Sequence, residues 1–162
     1  MELVKDQIAR FVAPPAGYTE EPPRLMTSNG VPSLLVSWSI PSDPKRKQPL
    51  REVNLTIKSR RASGYAPDLT AVGVARAWTK DEGWVRQSIG RFDVASRPEA
   101  GRMSGAPFGM PDQVGSIYVF ADGDLVVQVT TTSGQEQIPA FISSFDTQSA
   151  EFVLKTLTGA NR

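Results

Sequence analysis

The chain is 162 residues long, 40% hydrophobic and 22% charged, with 18 basic against 17 acidic side chains and neither histidine nor cysteine. A length of this order buries roughly 70% of the unfolded surface, so residues 1–162 read as a single packed domain that needs no disulfide and no metal. The two missing residue types take away the usual near-neutral base, the thiol nucleophile and the common zinc ligands, and a net charge of +1 provides no overall field to attract nucleic acid.

No apolar run approaches the ~20 residues of a membrane-spanning helix. Glu2, Lys5, Asp6 and Arg10 break up the apolar N-terminus, so the sequence reads as carrying neither signal peptide nor anchor. Ile8 to Ala13 reads as a strand, because Pro14, Pro15, Gly17, Pro22 and Pro23 follow and leave room only for a wide turn. Asn29-Gly30 favours a tight turn. From Ser33 to Ile40 the residues Leu34, Val36, Trp38 and Ile40 alternate with Leu35, Ser37 and Ser39, the period of a strand. Pro41-Ser42-Asp43-Pro44 ends it, and Lys45-Arg46-Lys47 follows in a loop. Glu52 to Arg60 is again a strand, with Val53, Leu55 and Ile57 on one face and Asn54, Thr56 and Lys58 on the other. The two strands read as a hairpin-like pair whose long loop is exposed.

Between Pro67 and Thr79 the spacing of Leu69, Val72, Ala75 and Trp78 fits a helix capped by Asp68, while Val72, Val74 and Trp78 also fit a strand face. The helix is preferred, since alanine is frequent there and Asp81-Glu82-Gly83 supplies an end. Ile89 to Val94, Gly101 to Ala106, Val114 to Ala121 and Leu125 to Thr132 read as strands, the last two joined by Asp122-Gly123, a strong hairpin signal. A final helix starts at Asp146 or Thr147 and runs to Leu157, with Ala150, Val153, Leu154 and Leu157 on one face and Gly159 beyond its end. The fold class is therefore α+β, a central antiparallel sheet with flanking helices and the C-terminal helix packed on the sheet.

Chemistry has few carriers left. Glu20-Glu21, Asp81-Glu82 and Asp122-Gly123-Asp124 pair carboxylates, but all lie beside turn residues, with no neighbour that would move a pKa and no calcium-loop spacing. The serines lack a Gly-x-Ser-x-Gly frame, and the Ser-Lys combinations, Lys58 with Ser63 or Lys155 with Ser149, look like surface residues. Gly101, Gly105, Gly109 and Gly115 lie between strands and not before a helix, so no phosphate cradle is present. No cofactor and no metal is expected. What remains are basic clusters at Lys45, Arg46 and Lys47 and at Lys58 to Arg61, close in space if the two strands pair, and an apolar loop with Phe108 and Met110 between prolines. The other aromatics read as core, Phe152 less clearly than the rest.

The order of elements resembles a known group. Phe11-Val12-Ala13-Pro14-Pro15-Ala16-Gly17-Tyr18, a strand pair, a helix, Gly115-Ser116-Ile117-Tyr118-Val119-Phe120, Leu125-Val126-Val127-Gln128-Val129-Thr130, and Phe141-Ile142-Ser143-Ser144-Phe145 before a helix are similar to the PsbP-like and DcrB-like domains. The resemblance implies a central antiparallel sheet between helices and a module without a shared active site. Such domains serve as assembly factors of photosynthetic membranes, periplasmic lipoproteins, secretion-effector chaperones and a binder of a nuclear-transport GTPase. It also tilts the expected compartment toward the bacterial periplasm or another extracytoplasmic space.

The sequence thus leads to a non-catalytic, monomeric binding or assembly module that meets a protein partner, or a membrane surface, through Lys45, Arg46, Lys47, Arg60, Arg61, Phe108 and Met110. Two rivals stand beside it, a carrier of an apolar small ligand and a carboxylate-dependent hydrolase. The first requires a large apolar cavity, the second a cleft with buried carboxylates.

Overall fold

Alternation along the strands builds the sheet, and the structure, a computed structural model, describes residues 8, 11–28, 30–41, 43–46, 51–78, 83–99, 115–131 and 138–159. The strands are β1 (Thr19–Glu20), β2 (Arg24–Ser28), β3 (Val31–Ile40), β4 (Arg51–Ser59), β5 (Val85–Ile89), β6 (Phe92–Glu99), β7 (Gly115–Asp122) and β8 (Leu125–Thr131). The helices are α1 (Ala71–Trp78), α2 (Ile138–Ser143) and α3 (Thr147–Thr158), with a short 3₁₀ turn at Pro44–Arg46. The strands form one eight-stranded sheet in the order β1-β3-β4-β8-β7-β6-β5, with β2 also on β3. Every pairing is antiparallel, so the fold is α+β.

One face of the sheet carries the main core. Ile57, Val127, Phe120 and Val94 stand in register across four strands, as do Val36, Leu55, Val129 and Tyr118. Phe120 and Val127 are sealed from solvent, and burying a side chain of that size stabilises by ~1.5–3 kcal/mol. Phe141 and Ile142 of α2, Ala150, Val153 and Leu154 of α3, and Ile8, Phe11 and Val12 close over this face. α3 has the caps its sequence promises: Ser149 N donates to Asp146 Oδ1 at 3.2 Å, and Gly159, with φ 74°, ends the helix in the left-handed region.

The opposite face is covered at one end by α1. Ala71, Val74 and Ala75 rest on Ala95, Ile117, Val119 and Val126, and the small side chains let the helix lie close. α1 runs across the strands. Its first residue donates from Ala71 N to Asp93 Oδ2 on β6 at 3.3 Å. At its far end Lys58 Nζ of β4 lies 3.8 Å from the Trp78 ring centroid. From β6 to β4 is about 14 Å at the usual ~4.8 Å strand spacing, and eight helical residues rise about 12 Å, so the helix is just long enough to bridge them. Lys58 also gives the C-terminal end of α1 a cation where the helix dipole favours one. Beyond α1 this face carries short polar side chains on β3 and β4, where Ser37 Oγ donates to Asn54 Oδ1 at 2.6 Å.

Several sequence expectations need correction. Ile8 and Phe11 are helical, not extended, and Val12 N donates to Ile8 O at 3.3 Å; Ile8, Phe11 and Val12 follow the i, i+3, i+4 spacing of a helix, which the prolines after them do not forbid. Ile89 to Val94 is not one strand, because Gly90, with φ 58°, turns the chain between β5 and β6. Asp68 does not cap α1, which starts later; the Thr70 hydroxyl accepts from Gly73 N at 3.1 Å and does the capping. α2 was not anticipated, although Ile138, Phe141 and Ile142 have helical spacing and Pro139 suits a first turn. β1 and β2 lie within what reads as a wide turn; Pro22 and Pro23 split this edge strand in two without abolishing it. Gly101 to Ala106 lies outside the described residues. Among those residues no helix is long and apolar enough to cross a membrane.

Candidate functional site

Lys45 and Arg46 do not meet Arg60 and Arg61. Lys45 is exposed on the 3₁₀ turn, where its N–H donates to Asp43 Oδ1 at 3.1 Å, and Arg46 closes that turn. Arg60 and Arg61 open the turn after β4. The loop from residue 41 to 50 leaves the Ile40–Arg51 end of the β3–β4 pair, whereas Ser33 and Lys58 pair near the other end. The nine residues of β4 span about 30 Å, so antiparallel pairing itself holds Lys45 and Arg46 apart from Arg60 and Arg61. Lys47, Phe108 and Met110 lie outside the described residues, as do Asp81 and Glu82.

At the Arg60 end the chain folds around Asp124, in the hairpin turn between β7 and β8. Ser59 Oγ donates to Asp124 Oδ2 at 2.9 Å and Arg61 N to Asp124 Oδ1 at 3.0 Å. Arg60 N donates to Asp124 O at 2.7 Å, and Asp124 N donates to Glu151 Oε1 of α3 at 2.7 Å. Arg60 is engaged in the fold, donating from Nη1 to Pro67 O at 2.7 Å. Arg61 is exposed and makes its bond to Asp124 through the backbone, which leaves its guanidinium facing solvent.

Asp124 stands between two recesses. One, of about 190 Å³, has Pro32, Ala62, Leu125 and Leu154 along its walls and Glu151 and Lys155 at its margin. The other, of about 280 Å³, lies among Arg60, Arg61, Tyr65 and Pro67. Both open where the β4–α1 loop and the β7–β8 turn meet, the first also against the last turns of α3, and charges of both signs stand around them.

Asp122, like Asp124 and Glu151, is occupied in building. Asp122 Oδ2 accepts from Arg91 Nη1 at 2.7 Å and from Thr147 Oγ1 at 2.5 Å, tying the β7–β8 hairpin to the β5–β6 turn and the start of α3. Partial burial alone would raise the Asp122 pKa, but the hydrogen bonds from Thr147 and Arg91, the Arg91 charge and the Gly123 N–H together hold it below its ordinary value. A carboxylate whose folded pKa lies below its unfolded one binds fewer protons when folded, so its contribution is present above the unfolded pKa and is lost as pH falls through the folded one. Thermal melts from pH 6 downward should therefore show wild type losing stability below about pH 4, with a shallower loss in Asp122→Asn; parallel curves would mean the pairing contributes nothing.

Neither Ser-Lys combination forms. Ser63 Oγ donates to Ser59 O at 2.6 Å, while Lys58 Nζ meets Tyr65 Oη at 3.3 Å and the Trp78 ring. Burial lowers the Lys58 pKa and raises that of Tyr65. Ser149 Oγ donates to Asp146 Oδ2 at 3.0 Å as part of the α3 cap. Among the described residues no group of three or more acidic side chains gathers in metal-binding fashion.

Sequence reading named Arg60 and Arg61 but missed their setting. Asp124 and Glu151 come to this turn from far along the chain; Asp122-Gly123-Asp124 marks Asp124 as a hairpin carboxylate, but no local pattern links it or Glu151 to Arg61. It also missed the exposed pair Leu25 and Met26, each 50% accessible on β2. Two adjacent apolar residues between Pro23 and Asn29 were the available signal. Phe152, 60% exposed, points away from the core, as its position beside the buried face of α3 implies.

No family model matches this sequence, and no curated protein matches it. Among solved structures, one from Bacteroides thetaiotaomicron VPI-5482, determined at 1.50 Å resolution, is similar at 12% identity and a TM-score of 0.46 over 85% of this chain. The chain spans 45% of that protein's length.

Proposed function

We propose that the protein is a non-catalytic binding module that holds a segment of a protein partner at the Arg61 turn. The observation that carries this is the apolar recess between Ala62, Leu125 and Leu154. At about 190 Å³ this recess falls below the ~300–1,000 Å³ of small-molecule pockets, so it suits one anchoring side chain better than a free ligand. Arg61 and Lys155 beside it favour a segment in which acidic residues flank the anchor. Asp122, Asp124 and Glu151 each hold a turn together, so these carboxylates do not favour the hydrolase. The resemblance to PsbP-like and DcrB-like domains, which share no active site, points the same way.

Affinity capture from the source organism compares wild type with Ala62→Glu, which places a charge at the recess mouth, and with Arg61→Glu. The expected result is loss of the captured partner in both, with circular dichroism unchanged. Changing Lys45, Arg46 and Lys47 together to Ala, at the far end of β4, should leave capture intact. Equal recovery by Ala62→Glu and wild type, or no protein above the bait-free control, would sink the proposal.

A further inference from the structure

We infer that β2 is a self-association edge, on which a second copy of this chain pairs antiparallel about a two-fold axis through Met26. The reasoning starts from which backbone groups β2 turns outward. In an antiparallel ladder, residues alternate between pairs that exchange both hydrogen bonds and pairs whose N–H and C=O groups point away. Thr27 pairs with Pro32, and proline has no N–H to exchange, so this is an open pair. Glu21 N donates to Ser37 O at 2.8 Å on the same edge of β3, which gives the same parity: Ser33, Leu35 and Ser37 face the edge, and Met26 and Arg24 bond to the first two. Leu25 and Thr27 are therefore left with N–H and C=O directed outward, and among the described residues nothing pairs with them.

An exposed strand edge invites another strand unless charge, proline or a bulge blunts it. Here Pro22 and Pro23 stop pairing on one side and the Gly30 turn stops it on the other, leaving five residues centred on Met26. No charge protects that centre, since Leu25, Met26 and Thr27 are all uncharged and all exposed. At the opposite border of the sheet β5 presents Arg86, Gln87 and Ser88 instead.

The sequence of β2 fits its own copy. With the axis through Met26, Leu25 of one copy faces Thr27 of the other twice, and these are the residues with outward-facing backbone groups, so each such pair exchanges both N–H···O bonds. Arg24, the one charged residue of the strand, falls opposite a neutral Ser28 and not opposite another arginine. The register places like apolar side chains at the axis and no like charges face to face, as an isologous interface requires. The assembly is a continuous sheet through two molecules, in place of the monomer the sequence suggested.

The two methionines at the axis form an open pair with Cα atoms about 4.5 Å apart, inside the about 4.4–6.8 Å that a disulfide spans. The native chain has no cysteine, so a single Met26→Cys can react only with a second copy. Sedimentation velocity over a concentration series should show wild type moving from monomer to dimer. Met26→Lys, which sets two ammonium groups against each other at the axis, should raise the dissociation constant at least about tenfold. Under mild oxidation Met26→Cys should form a disulfide dimer well ahead of Phe152→Cys, an equally exposed control on α3. Wild type that stays monomeric throughout, Met26→Lys that dimerises as wild type does, or Met26→Cys that links no faster than Phe152→Cys each overturns the inference.

Discussion

Phe120→Ala should lower the melting temperature by roughly 6–20 °C, the consequence of about 3–5 kcal/mol lost from a domain of this size. Phe120 is 0% exposed and sits at the centre of a cluster of aromatic rings in the main core. Its ring centroid lies 4.6 Å from that of Phe92 and 5.5 Å from that of Phe145, the latter edge-on at 82°. Phe145 in turn meets Phe11 at 5.9 Å, so the ring at position 120 joins β7 to the α2–α3 junction and, through it, to the N-terminal turn. The backbone reinforces that junction, with Asp146 N donating to Phe11 O at 2.6 Å and Ala13 N to Ser144 Oγ at 3.1 Å.

Truncation at position 120 removes the apolar area and leaves a cavity whose walls belong to a hydrogen-bonded sheet on one side and tethered helices on the other. Neither can collapse easily, which places the cost toward the upper part of the usual range. Phe120→Leu, which keeps most of the volume, should cost well under half as much. Urea melts of the three proteins should shift in midpoint while keeping a common slope. Phe120→Ala within about 1 kcal/mol of wild type would mean the aromatic cluster is not where stability concentrates.

The sequence shows the parts of this fold that local chemistry writes. Leu34, Val36 and Trp38 alternate cleanly because β3 has one dry face and one polar face, and the Asp146 cap and Gly159 stop of α3 follow from backbone groups that need partners wherever a helix ends. The Ile89–Val94 error has the opposite origin. Both flanks of the Gly90 turn are β-forming, so the residues run on as if they were one strand, and only pairing shows that the chain reverses there. Asp68 looked like a cap because it is the right residue type, but Thr70 sits where α1 begins.

The candidate site was half visible. Arg60 and Arg61 stand out as a basic pair, yet what defines their surroundings is Asp124, bound to Arg61 N across 63 positions, and Glu151, bound to Asp124 N across 27. Contacts of that range leave no periodic trace. For Lys45 and Arg46 the expectation that they join Arg60 and Arg61 fails on simple geometry: pairing two strands brings their residues side by side, and it also sets the ends of one strand a full strand length apart.

Gly123→Val should destabilise by about 2.5–5 kcal/mol, and the way that cost divides bears directly on the candidate site. Gly123 has φ +54°, a left-handed conformation that costs an L residue roughly 1–2 kcal/mol and suits a β-branched side chain least. A Cβ there would also fall onto Glu151 Oε1 and come within 3.2 Å of Thr147 Cγ2. Glu151 would have to swing away and give up the 2.7 Å bond from Asp124 N, a loss of about 1.5–3 kcal/mol for a bond to a charged group. The two contributions can be separated. Gly123→Asn tolerates the left-handed backbone but still displaces Glu151. Gly123→Val made in a Glu151→Ala background should cost only the backbone strain and the close contact with Thr147 Cγ2, because the obstructing carboxylate and its bond are already gone; the coupling in that double-mutant cycle measures the Asp124–Glu151 contact. A coupling near zero would show that α3 does not brace the Asp124 turn. The recess beside Arg61 would then lack its rigid wall, and the proposed partner binding would lose the preorganisation it requires.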